Sequence, residues 1–188
     1  MLRLAGLRPI IVLALAGLAA CRPDKDAQLN AILDNASQEE PPPPPNSVQH
    51  IANTVATASK FEIALSQTAD INSSVSPATK AFARDMIAAH KASMDRLRVA
   101  LAKLHPPPMA DAEPSLEQRA ALDDLRGKRG RTFEVSFKAH QVALLRDLLR
   151  SLQDYAANGK EPALIDYARA QIPEVSGQLR RAEALPPE

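Results

Sequence analysis

Several polar side chains stand where helical spacing calls for apolar ones. Placing residues at 100° per residue puts Glu62 in the centre of a stripe formed by Val48, Ile51, Ala52 and Val55. His90 falls in the middle of a second stripe, Phe82, Met86, Leu97, Leu101 and Leu104. Glu134 and Gln141 lie within a third, formed by Phe133, Phe137, Leu144, Leu148, Leu152 and Tyr155, with His140 at its edge. Gln171 and Gln178 lie among Leu164, Ala168, Val175 and Ala182. A carboxylate and an imidazole on core faces suit two kinds of chemistry. They could hold a mononuclear metal or small ligand through Glu62 and His90, with Gln178 close by. They could equally satisfy one another, because a lone buried carboxylate costs several kcal/mol unless it is paired, hydrogen-bonded or protonated. If their helices are antiparallel neighbours, the two residues lie roughly 13 and 18 Å from the same end, within one turn of each other. A Glu62–His90 hydrogen bond fixing helix register is the reading favoured here.

The ligand count argues against a dinuclear centre. Such a site needs a glutamate from each of two helices and Glu-x-x-His on the other two. Ile87 stands three residues before His90, and no Glu-x-x-His occurs in the chain. Glutamines are poor ligands for iron or zinc. There is no phosphate-binding glycine loop, no Gly-x-Ser-x-Gly, and no serine in an activating context. The run "RGKRGR", Arg126 to Arg131, adjoins Asp123 and Asp124 and reads as a solvated turn. No catalytic residue and no cofactor are expected.

The one cysteine, Cys21, closes the stretch "LAAC". Before it come a short start carrying Arg3 and Arg8 and the apolar run Ile10 to Ala20. Those eleven residues would make a rod of roughly 16 Å, about half a bilayer's hydrocarbon thickness. A secretory signal is expected over residues 1–20, and "LAAC" resembles the lipobox of bacterial lipoproteins, with Cys21 as the lipidation site. Arg22 is not the aspartate that often holds lipoproteins in the inner membrane, so attachment to the outer membrane, facing the periplasm, is expected. Without Arg3 and Arg8, 21 Lys and Arg remain against 22 Asp and Glu. That balance, with no basic stripe interleaved with aromatics, excludes nucleic acid as a partner.

These residues need elements to place them. Scarce glycine and the absence of β-branched runs favour helix. Residues 21–46 read as a tether whose five prolines, Pro41 to Pro45, give a stiff spacer of ~15 Å. Residues 47–188 read as one helical domain. Helix A is expected from about Ser47 to Ile71, and helix B from Pro77, capped by Ser76, to about Leu104. A proline-rich loop follows, then "SLEQRAALDDL", with a capping box at Ser115 and Gln118. Helix C resumes near Arg131 and stops at Asn158-Gly159, and helix D runs from about Pro162 to Leu185. Four helices with short links predict an all-α, up-down-up-down four-helix bundle.

The segments "SKFEIALSQTA", "KAFARDMIAAHKASMDRL", "TFEVSFKAHQVALL" and "AQIPEVSGQL", in this order, carry a resemblance. From about His50 to Leu185 the chain resembles a group of bacterial secreted proteins of unknown function, often labelled putative outer-membrane proteins, with a ferritin-like four-helix fold. The Ile172-Pro173 step fits the group as well. Its members usually carry an Asp-His pair on B and histidines on C and D. Here Ala89, Leu145 and Gln178 stand at three of those positions, while Glu62 and His90 are kept and Glu134 replaces an aspartate. The resemblance therefore implies that most metal ligands are gone, which argues against iron-oxidase or catalase-like activity. The expectation is a non-catalytic, lipid-anchored envelope protein with a structural, stress or partner-binding role. Its partners would be the membrane, through lipid on Cys21, and an envelope protein of unknown identity.

Overall fold

The computed structural model describes residues 44, 46–110 and 113–186. The lipobox, Cys21 and the tether as far as residue 43 lie outside the described residues. Among the described residues the fold is all-helical, with five helices and no strand. They are α1 (Val48–Ile71), α2 (Pro77–Leu101), α3 (Leu116–Arg126), α4 (Gly130–Asn158) and α5 (Pro162–Ala184).

Local chemistry fixes the ends. Ser47 caps α1 by accepting from His50 N, and Ser76 caps α2 by accepting from Thr79 N, with proline in the first turn. Ser115 and Gln118 form the full capping box of α3. The α4 helix stops at Gly159, where a Cβ would lie 2.6 Å from the Tyr155 carbonyl oxygen and 2.7 Å from its ring. Only glycine allows that approach. The predicted helix B overran, since α2 ends at Leu101 and His105-Pro106 is a cis peptide beyond it.

Packing is most extensive between α1 and α2 and between α4 and α5, and contacts of α1 with α4 and of α2 with α5 close the circuit. Cross-helix bonds give the directions. Ser74, just beyond α1, accepts from Gly130 N at the start of α4, and Gln141 of α4 reaches Glu62 of α1, so these helices are antiparallel. Asp85 with Arg181, and Arg96 with Glu174, make α2 and α5 antiparallel. Lys138 to the Leu185 carbonyl, and Arg146 to Glu183, do the same for α4 and α5.

The short links expected between helices do not hold after α2. Residues 102–110 and 113–129 run back along α1, with Gln49 bonding the Met109 carbonyl, Lys60 pairing with Glu113, and Asn72 reaching the Lys128 carbonyl. Helix α3 lies on this crossover and buries Leu122 and Leu125 against α1 and α4. The up-down-up-down order is thereby corrected. The crossover returns the chain to the end it started from, so α2 and α4 point the same way on opposite corners.

The core holds Ile51, Leu65, Phe82, Met86, Leu97, Phe133, Phe137, Leu145, Leu152 and Leu164. Phe82 and Phe137 meet edge to face at 6.2 Å, and Phe137 stacks on Phe133 at 5.8 Å. The predicted stripe Phe133, Phe137, Leu148, Leu152 and Tyr155 is buried, but Leu145 is fully buried where Leu144 was expected, and Leu144 is only half-buried.

Candidate functional site: a polar layer in the core

The stripe residues singled out from sequence do enter the core. Glu62 and Gln141 are 0 % exposed and His90 is 2 % exposed, while Gln178 is half-buried. Their partners differ from the expected ones. Glu62 and His90 do not bond each other. Glu62 Oε1 accepts from Ser66 Oγ at 2.7 Å and from Gln141 Nε2 at 2.6 Å, tying α1 to α4. His90 Nδ1 meets Ser59 Oγ at 3.3 Å, tying α2 to α1. The Glu62–His90 register lock is therefore replaced by two separate ties. Serine, one turn away on the same face of α1, supplies the small partner in each. Ser59 and Ser66 were absent from the sequence reading, although their spacing of three and four residues from Glu62 placed them on its face.

Cross-helix pairing sets all four side chains at one height. Ser59 opposite His90, Gln141 opposite Glu62, and the α2–α5 pairs around Asp85 and Arg96 bring Gln178 level with His90. Each of the four long helices contributes one residue, and the four fall within about one helical turn along the axis, ~5 Å. Each retains a buried atom without a hydrogen-bond partner: Glu62 Oε2, His90 Nε2, Gln141 Oε1 and Gln178 Oε1.

Burial dominates the electrostatics. It pushes the Glu62 carboxyl up to about 7, opposed by the hydrogen bonds from Gln141 and Ser66, which favour the charged form. Burial pulls His90 down to about 4, opposed by Gln178, which lies near enough to favour the imidazolium without completing a well-formed bond. The site is thus an acid and a neutral imidazole at mildly acidic pH.

A second polar tie crosses α2 and α5. Ser93 Oγ meets Tyr167 Oη at 2.7 Å, and burial pushes the Tyr167 hydroxyl up to about 12. With its amide set to satisfy its neighbours, Gln171 donates to Ser93 Oγ at 2.9 Å and accepts from Arg96 at 3.0 and 3.1 Å. Arg96 in turn pairs with Glu174 at 2.5 Å. Glu134 is buried away from the layer, accepting from the Ser76 backbone at the α2 cap at 2.7 Å. His140 is half-buried and His105 is exposed. His50, whose backbone N–H bonds the α1 cap Ser47, is half-buried. Among the described residues no three His, Cys, Asp or Glu side chains are grouped so as to hold a metal. No helix among them is long and apolar enough to cross a membrane.

The chain belongs to the family described as Domain of unknown function (DUF4142), which it matches over residues 33–185. The match spans all five helices and reaches back into the stretch read as tether. No curated protein and no solved structure matches the chain.

Proposed function

We propose that this chain is a lipid-anchored, non-catalytic helical protein of the bacterial cell envelope. It faces the periplasm from the outer membrane and serves a structural, stress-related or partner-binding role. The domain is a ferritin-like four-helix bundle, α1, α2, α4 and α5, with α3 riding on the crossover. One long crossover is the connectivity of ferritin-like bundles. The supporting observation is how the polar core is used. Its hydrogen bonds run from helix to helix, Glu62 to Gln141, His90 to Ser59, and Ser93 to Tyr167, rather than converging on a cleft where a substrate would be held. Hydrogen bonds between buried polar groups on neighbouring helices fix register and packing. The ending "LAAC" supports the anchor.

The test is biosynthetic. Cells expressing the full chain are labelled with radioactive palmitate and fractionated. Label and membrane association are both expected, and both should vanish in Cys21→Ser while the helical domain persists as a soluble periplasmic species. Unlabelled protein, or a cytoplasmic pool, would overturn the reading.

A further inference from the structure

We infer that Asn72, in the turn between α1 and α2, receives an N-linked oligosaccharide from a polyprenyl-diphosphate carrier through a membrane oligosaccharyltransferase. The inference rests on the envelope reading in one respect, since such transfer acts on exported chains.

The sequence carries the first half of the argument. Asp70-Ile71-Asn72-Ser73-Ser74 contains Asn-x-Ser without proline at the middle position, the pattern of an acceptor in a surface loop of a secreted protein. Asp70, two residues before the asparagine, adds a carboxylate that an arginine of a bacterial transferase can grip. A second Asn-x-Ser, Asn35-Ala36-Ser37, has Leu33 at that place and serves as a control within the same chain.

The structure supplies the surface loop. Asn72 is the C-cap of α1, where the helix has ended and the backbone is extended. Ile71, Ser73 and Ser74 are exposed, Ile71 at 83 %, and Asn72 is half-buried. The two polar atoms of its side chain are used differently. Oδ1 accepts from Ser74 N at 3.0 Å and from Ser74 Oγ at 2.7 Å, an Asx turn that fixes the side chain. Nδ2 makes a long contact of 3.5 Å with the Lys128 carbonyl.

A glycan on Nδ2 has room. Asn72 lines a cleft of about 260 Å³ with Ile71, Ser73, Arg126, Arg129 and Phe133. A hexose ring displaces roughly six waters, ~180 Å³ at ~30 Å³ each, so the first sugar fits. Arg126 gives one N–H to Asp123, and Arg129 gives two to the Arg126 and Lys128 carbonyls. The rest of each guanidinium fork remains for sugar hydroxyls. The linkage also spares the turn, because Oδ1 still accepts from Ser74 and Nδ2 keeps one hydrogen.

The step balances without an oxidant or reductant. Asn72 Nδ2 attacks the anomeric carbon, an N–C bond forms, and the C–O bond to the diphosphate breaks. The diphosphate leaves with the electron pair, and Nδ2 gives up one proton. In the folded domain Asp70 pairs with Arg84 at 2.6 Å, and Ser74 Oγ accepts from Gly130 N at 2.8 Å. Transfer therefore precedes the packing of α2 and α4 around the turn.

The test uses the full chain isolated from the membranes of its native bacterium. Trypsin releases Phe61 to Lys80 as one peptide, in which Asn72 is the sole asparagine. That peptide is expected to be heavier by an oligosaccharide, with fragmentation leaving one sugar on Asn72. Asn72→Gln and Ser74→Ala should abolish the shift, and Asp70→Asn should remove most of it. Ser74→Thr and Asn35→Gln should leave it intact. Circular dichroism checks that each variant folds, and the contrast of Ser74→Ala with Ser74→Thr decides if Asn72→Gln does not. An unmodified peptide from palmitate-labelled chain would overturn this inference alone. An unmodified peptide from unlabelled, cytoplasmic chain would overturn it together with the envelope reading. A sugar that stays in Asn72→Gln would refute the assignment to Asn72.

Discussion

The two buried ionisable groups shift in opposite directions, and the consequence is a measurable dependence of stability on pH. Glu62 moves from 4.5 to about 7, and His90 from 6.5 to about 4. A carboxyl raised on folding stabilises most below its unfolded value and loses that contribution as pH rises through about 7. A histidine lowered on folding stabilises above its unfolded value and loses that contribution as pH falls toward about 4. Between pH 4.5 and 6.5 the folded chain keeps one proton on Glu62 that the unfolded chain has released. It also lacks one on His90 that the unfolded chain holds. The two cancel, so this pair adds almost no slope there.

Removing either partner exposes the other. Each group spans about 2.5 pH units, and ~1.4 kcal/mol per unit gives about 3 kcal/mol. Glu62→Gln removes the group whose contribution falls as pH rises, so relative to the parent the variant gains about 3 kcal/mol of stability from pH 4.5 to 7. His90→Gln removes the group whose contribution grows as pH rises, so its stability relative to the parent falls by about 3 kcal/mol from pH 4 to 6.5. Urea unfolding followed by circular dichroism at half-unit pH steps supplies the curves. Taking each variant minus the parent removes the surface carboxylates, which are common to all three chains. The hydrogen-bonding neighbours named for these two groups, Ser66, Gln141, Ser59 and Gln178, carry no charge of their own. A flat difference curve for Glu62→Gln, or one falling with pH, would refute the assignment of a protonated Glu62 beside a neutral His90.

Three further outcomes follow from packing. Leu145→Ala should cost about 3–5 kcal/mol, and Leu144→Ala less than half of that in the same urea assay, because only Leu145 is fully buried. Equal losses would mean that α4 is rotated from the arrangement described. Gly159→Ala should destabilise by about 1–3 kcal/mol, since the new methyl meets the Tyr155 carbonyl and ring, and a thermal melt that stays put would refute the contact. Ser115→Ala should cost about 1 kcal/mol through loss of the α3 cap, and amide exchange should accelerate in the first turn of α3 while α1 stays protected.

What the sequence made legible was azimuth, and what it hid was register. Periodicity at 100° per residue found Glu62, His90, Gln141 and Gln178 because facing the core depends on a residue's own helix. The helix ends were equally local: Ser47, Ser76, Ser115 and Gly159 act within a few residues. Partner choice depends on which helices touch, and there the reading failed at one place. With four helices on short links, the first and third sit on opposite corners, so Glu62 and Gln141 have no route to each other, and Glu62 is left to pair with His90. The 102–129 crossover changes that adjacency. It holds few apolar stripe positions, but its reach is readable: 28 residues with an eleven-residue helix is far more chain than an end-to-end turn needs, and enough to travel the length of α1. Once α4 starts at the far end it runs antiparallel to α1 beside it, and Gln141 arrives at the level of Glu62. The carboxyl then has a donor on α4, His90 is released to Ser59, and the imidazole Nε2 is left facing the layer. The composition of the candidate site is therefore a consequence of one connection, and shortening that connection should abolish the Glu62–Gln141 tie before it disturbs any single helix.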